Sequence, residues 1–212
     1  MTLREITTPL LQLLQDAQSA EDLLAASDTQ FARRAYVRSL FAYIEGTIWI
    51  LKRTCRHGKP PKGVAMPFSV GEYALLADVS YELKSSGEVA EQPKFLRLQE
   101  NLKFTFRLVN RLFGCSIDLK IGSEDWQKFT TAVAIRNRIT HPKQMSDFDI
   151  TDAELKVCQD VCLWFNEHPA SAIKGIVAVS ERAIGRTEKK NSSGLKRNRS
   201  EAVAALEVVS SL

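Results

Sequence analysis

Hydrophobic positions along the chain recur at intervals of three and four, the spacing of one face of an α-helix, in segment after segment. Over residues 4–25 the apolar anchors are Leu10, Leu13, Leu14, Leu23 and Leu24. Pro9 either starts that helix or divides the region into two short ones. The pattern is longest from Asp28, the expected N-cap, to His57, where Gly58 and the following KPPKG stop it. Val37, Leu40, Phe41, Ile44, Ile48 and Leu51 give this helix a buried face, and at ~1.5 Å per residue it spans ~44 Å.

Ser69 and Glu72 have capping-box spacing, so a third helix is expected there, carrying Tyr73, Leu76, Val79, Tyr81 and Leu83 until SSGE ends it. A fourth follows Pro93, with Phe95, Leu98, Leu102, Phe106, Val109 and Phe113 as its seam and Gly114 as its stop. A fifth runs from near Ser123 through Trp126, Phe129 and Val133 toward Arg136. Thr151 and Glu154 cap a sixth, which carries Leu155, Cys158, Cys162 and Phe165 to a stop at His168–Pro169, and a weaker helix follows over roughly 170–184. Strand signals are nearly absent, with neither sustained alternation nor an Asn-Gly or Asp-Gly turn. The fold class expected is all-α, an antiparallel helical bundle with flanking helices. Residues 1–27 form a helical segment packed on the bundle, 28–185 the main domain, and 186–212 a basic tail with a short helix at 200–209 capped by Ser200.

At 44% hydrophobic and 25% charged residues, the chain has the material for a core without disulfides or a structural metal. Four cysteines without a CxxC pair fit a reducing compartment. Glu45 breaks the most apolar run, and the N-terminus has no basic region or cleavage site, so the expectation is a cytoplasmic protein without membrane contact. The formal charge of +4 is concentrated in residues 186–199, whose six basic residues and one glutamate leave 23 basic and 24 acidic residues elsewhere. That segment either attracts RNA phosphates or is a solvated linker.

The densest polar information lies in AIRNRITHPK, residues 134–143. In an unbroken helix Arg136 and His141 would point ~140° apart. Pro142 disfavours the helical conformation at His141, so the helix ends there and both side chains can turn toward one site. A cationic last turn and a His-Pro stop also serve simply to end a helix.

Arg136-Asn137-x-x-x-His141 resembles the Arg-polar-x-x-x-His motif of the HEPN superfamily (higher eukaryotes and prokaryotes nucleotide-binding domains), and the succession of long helices over about 28–168 is similar. The resemblance implies a helical-bundle homodimer acting as a metal-independent endoribonuclease, often a toxin or defence-system effector with a cognate antitoxin or regulatory protein. It places catalysis on Arg136 and His141 with Asn137 assisting, and it calls for no cofactor and no metal. Some relatives carry a modifiable tyrosine two residues after the histidine; Lys143 stands there in this chain.

The chemistry fits those residue types. Cleavage through the ribose 2′-OH needs a base, an acid for the leaving 5′ oxygen, and positive charge on the phosphate. A histidine titrates in the useful range, and an arginine offers a fixed fork of donors. One chain supplies one motif histidine, so a two-fold dimer would bring two to a shared cleft. Arg138 and Lys143 are candidate RNA contacts, and Glu45, close to the apolar face of the long helix, needs a partner in Arg136 or Arg38 unless it faces water. Cys55, His57, Cys158 and Cys162 lack zinc-knuckle spacing, and Cys115 has no evident partner; the cysteines read as buried small hydrophobes. Phe95, Phe104, Phe106 and Phe113 read as core in preference to base-stacking positions. The alternatives to a ribonuclease are a non-catalytic HEPN-like RNA- or nucleotide-binding module and a helical protein-interaction scaffold.

Overall fold

The computed structural model describes residues 2–58 and 67–188, which are predominantly helical. Helix α1 (Leu3–Ala26) opens with a reciprocal cap: the Thr2 hydroxyl accepts from the Glu5 N–H, and the Glu5 carboxylate accepts from the Thr2 N–H. It neither begins at Pro9 nor divides there, but runs through an exposed Pro9 as one helix. Helix α2 (Gln30–His57) is capped by Thr29 in place of Asp28, whose carboxylate pairs with Arg33 at 2.6 Å.

α2 packs against α1, α4, α5 and α6, and Tyr36, Val37, Leu40, Tyr43, Ile44, Ile48 and Leu51 are all buried. A helix central to the bundle must bury more than one stripe, which accounts for its length and its apolar content. At Gly46 a β-carbon would collide with the Leu13 side chain, so the missing side chain lets α1 lie close along α2.

Helix α3 (Val70–Leu76) starts with the Ser69–Glu72 capping box but is far shorter than expected. Asp78 adopts a left-handed conformation (φ 56°), and the chain turns into an antiparallel hairpin of β1 (Val79–Leu83) and β2 (Val89–Pro93). Val79 faces Pro93 and Leu83 faces Val89, with Gly87 at φ 82° in the connection. The residues expected to extend a helix are thus in strands. Val79, Tyr81 and Leu83 do alternate, but over too few positions to register as a period.

Helix α4 (Leu98–Phe113) ends at Gly114, whose φ of 67° is the left-handed cap that glycine adopts without cost. Phe95 does not belong to its seam: the N-cap is Arg97, and Phe95, in the extended approach, is 89% exposed. Helix α5 (Glu124–Thr140) is capped by Ser123 and followed by a short 3₁₀ turn, Met145–Phe148.

Helix α6 (Asp152–Glu188) starts with the Thr151–Glu154 box and continues through Pro169, so the two helices expected there are one and His168 is no stop. A proline inside a helix costs ~3 kcal/mol. Beyond it Ala172, Ile173, Ile176 and Val177 are buried, and a buried Ile or Val recovers ~1.5–3 kcal/mol. Burial wins, and the helix runs on. No helix among the described residues is long and apolar enough to cross a membrane. The basic segment beyond Glu188, and the expected helix at 200–209 capped by Ser200, lie outside the described residues.

Candidate functional site

Ile135 and Ile139 are buried and hold α5 against the bundle, which turns Arg136 and Asn137 toward the periphery. The last carbonyls of α5 are answered locally. The His141 N–H donates to Asn137 O at 3.0 Å, the Thr140 hydroxyl to Arg136 O at 2.7 Å, and Arg38 to Ile139 O at 3.3 Å. His141 is the C-cap, leaving helical geometry at φ −125° and ψ 59° just before Pro142, and it is exposed.

The loop after His141 is pinned from several sides. Lys143 and Gln144 donate backbone N–H groups to Asp147 at 2.7 and 3.2 Å, and these bonds hold the Asp147 carboxyl below its ordinary pKa. Gln30 exchanges two hydrogen bonds with the Ile150 backbone at 3.0 and 2.8 Å, and Arg34 donates to Phe148 O at 3.1 Å. Arg33 pairs with both Asp28 and Asp152, tying the start of α2 to the start of α6. The loop that follows His141 is therefore braced, while the exposed His141 side chain makes no hydrogen bond among the described residues.

Arg136 is ion-paired to Glu45 of α2, and its Nη1 donates to Asn137 Oδ1 at 2.9 Å. Its guanidinium also lies 5.7 Å from the centroid of the Phe41 ring. Partial burial pushes its pKa down, yet a guanidinium stays charged at any working pH. The Glu45 and Arg136 side chains keep 42% and 26% of their surface in water, so the pair adds only ~0–1 kcal/mol of stability. Its consequence is orientation: Glu45 fixes where the fork points.

Arg136, Asn137 and Glu45 line a groove of about 730 Å³ between α2, α5 and the approach to α4. Trp49, Lys52, Asp78 and Phe95 complete its character. Lys52 is buried and paired with Asp78 at the turn into the hairpin. The structure thus brings Arg136, Asn137 and Glu45 together, while His141 is not among the residues that line the groove. Arg38 braces the end of α5 and leaves Glu45 to Arg136. Arg138 is engaged by Glu154 and the Asp149 carbonyl, at 2.9 and 2.8 Å, whereas Lys143 is exposed.

Trp49, Lys52, Asp78 and Phe95 were not singled out as site residues by the sequence pattern. Trp49 and Lys52 follow the candidate Glu45 at steps of four and three and share its helix face, which is the signal that could have found two of these residues. The Asp78 contact depends on a turn that helical periodicity does not disclose. The cysteines offer no nucleophile here: burial pushes the Cys55 and Cys158 thiols up to about 12. No known protein family, curated protein or solved structure matches the chain.

Proposed function

We propose that the chain is an endoribonuclease of the HEPN type that cleaves RNA without a metal, acting as a toxin or defence effector. The observation that carries the reading is a fixed arginine, Arg136, in an open groove, with an exposed histidine, His141, at the end of the same helix. The resemblance of RNRITH to the superfamily motif supports it from the sequence side.

In this mechanism His141 removes the proton from a ribose 2′-OH, whose oxygen attacks the adjacent phosphorus. The bond from phosphorus to the 5′ oxygen breaks, that oxygen takes a proton from a second imidazolium, and a 2′,3′-cyclic phosphate remains. The Arg136 fork meets the charge that develops on the phosphoryl oxygens. The mechanism uses two histidines and one chain supplies one at this motif, so in this reading the full set is assembled across a two-fold axis, with each copy contributing Arg136 and His141. A second reading, a non-catalytic RNA-binding module, draws on the Glu45 ion pair, which already answers the Arg136 charge.

The test is incubation with labelled single-stranded and structured RNAs in EDTA. Wild type should release 2′,3′-cyclic phosphate ends, and His141→Ala and Arg136→Ala should each lose at least ~100-fold in rate with unchanged circular dichroism. Glu45→Gln should lower the rate about 10-fold without altering stability, because it loosens the fork and leaves the core intact. RNA binding without cleavage would transfer the conclusion to the second reading.

A further inference from the structure

The groove beside Arg136 has a feature that phosphate chemistry does not require. Two large aromatic side chains on its wall are open to solvent: Phe95 is 89% exposed and Trp49 is 51% exposed. They come from different elements, the middle of α2 and the extended segment before α4, and neither position is explained by core packing. The Arg53 guanidinium lies over the Trp49 ring, 4.7 Å from its centroid, so it covers one face and sets a positive charge beside the platform; a base stacks on the other face or takes the arginine's place. Arg97 adds an exposed cation on the wall, while the groove's two carboxylates, Glu45 and Asp78, are each paired with a cation.

Exposed aromatic rings interleaved with unneutralised cations suit one kind of ligand. Bases stack on such rings in a sequence-tolerant way, and the phosphates between them meet the arginines. The same arrangement disfavours duplex RNA, whose bases are already stacked on one another and whose recognition goes through shape and backbone. A volume of about 730 Å³ falls within the range of ~300–1,000 Å³ that small-ligand sites occupy.

We infer that this groove is a base-stacking subsite for single-stranded RNA, in which Trp49 and Phe95 hold unpaired bases next to the phosphate engaged by Arg136. The identity of the ligand rests on the ribonuclease reading; the binding itself can be measured without cleavage. Trp49 and Phe95 are binding residues that set the preference for unpaired RNA, and they take no part in bond breaking.

The experiment titrates full-length protein with a single-stranded 2′-O-methyl oligoribonucleotide of about eight nucleotides, which has no 2′-OH to attack, and follows tryptophan fluorescence. Trp126 and Trp164 are only 8% and 7% exposed, so quenching reports Trp49, and Trp49→Phe should abolish the quench while binding persists. Trp49→Ala and Phe95→Ala should each weaken binding roughly 10-fold, as loss of a base–aromatic stack does. Both should raise KM on cleavable RNA and leave kcat at saturation unchanged. The duplex of the same sequence, and a nucleoside monophosphate, should bind far more weakly than the oligonucleotide. Alanine variants that bind like wild type, or a duplex that binds and quenches as well as the single strand, would overturn the inference. An Arg136→Ala protein that loses cleavage but keeps the quench supports it. A wild type that binds through Trp49 yet never cleaves leaves the subsite standing and removes the ribonuclease reading.

Discussion

His168 holds its imidazole in an aromatic box, 4.7 Å from the Trp164 ring and 5.8 Å from the Phe106 ring, and is only 5% exposed. Its Nε2 has no hydrogen-bond partner among the described residues, and burial pushes its pKa below the ordinary histidine value. The unfolded chain therefore binds a proton at a pH where the folded chain does not. Stability is complete above the ordinary value of ~6.5 and falls as pH drops below it, by at most about 1.4 kcal/mol per pH unit from this one group. Urea unfolding at pH 7.5 and 5.5 should record that loss, and His168→Leu should reduce it. The site was only partly legible at this scale. Arg136 and Glu45 were readable because a carboxylate near an apolar face needs a cation. His168 was read as a helix end because His-Pro ordinarily is one, and its real neighbours, Phe106 and Trp164, include one from another helix. Contacts across elements leave no local trace.

Between elements, one close constraint is the place where α1 lies along α2 at Gly46. Gly46→Val would place a branched side chain where Leu13 sits, and overpacking of this kind costs ~1–3 kcal/mol. Denaturant melts should show that loss, and Leu13→Ala in the same chain should recover part of it, as expected of two groups competing for one space. The helices legible from sequence were those with long seams, such as α2 and α4, or with paired caps, as at Thr151 and Glu154. The hairpin was hidden because it earns little from burial: Tyr81, Leu83 and Val89 are 58%, 71% and 69% exposed. Its turn relies on Gly87 at φ 82°, without the Asn-Gly or Asp-Gly signature. Pro169 misled for the opposite reason, since the local penalty is real and the burial beyond it outweighs it.

For the whole molecule, a ribonuclease of the proposed kind needs two histidines in one cleft, so its activity would depend on the number of copies. Light scattering should then show a particle of twice the 23.8 kDa chain mass. Because one cleft needs both histidines, an inactive partner should poison it. When wild type is unfolded, mixed with an equal amount of His141→Ala protein and refolded, random pairing leaves about a quarter of the dimers with two histidines, so activity should fall to roughly a quarter of that of the same total amount of wild type. If each chain acts alone, about half remains. The tight fit of Cys115 against Gly175 has a different consequence. A β-carbon at Gly175 would strike the Cys115 sulfur, so the glycine lets this half-buried thiol seat against α6, and burial raises its pKa, which slows labelling while the helix is in place. A rise in the rate at which Cys115 takes up a thiol reagent therefore signals α6 lifting from the bundle: the half of the helix beyond Pro169 carries its own tell-tale of local opening, separate from unfolding of the chain.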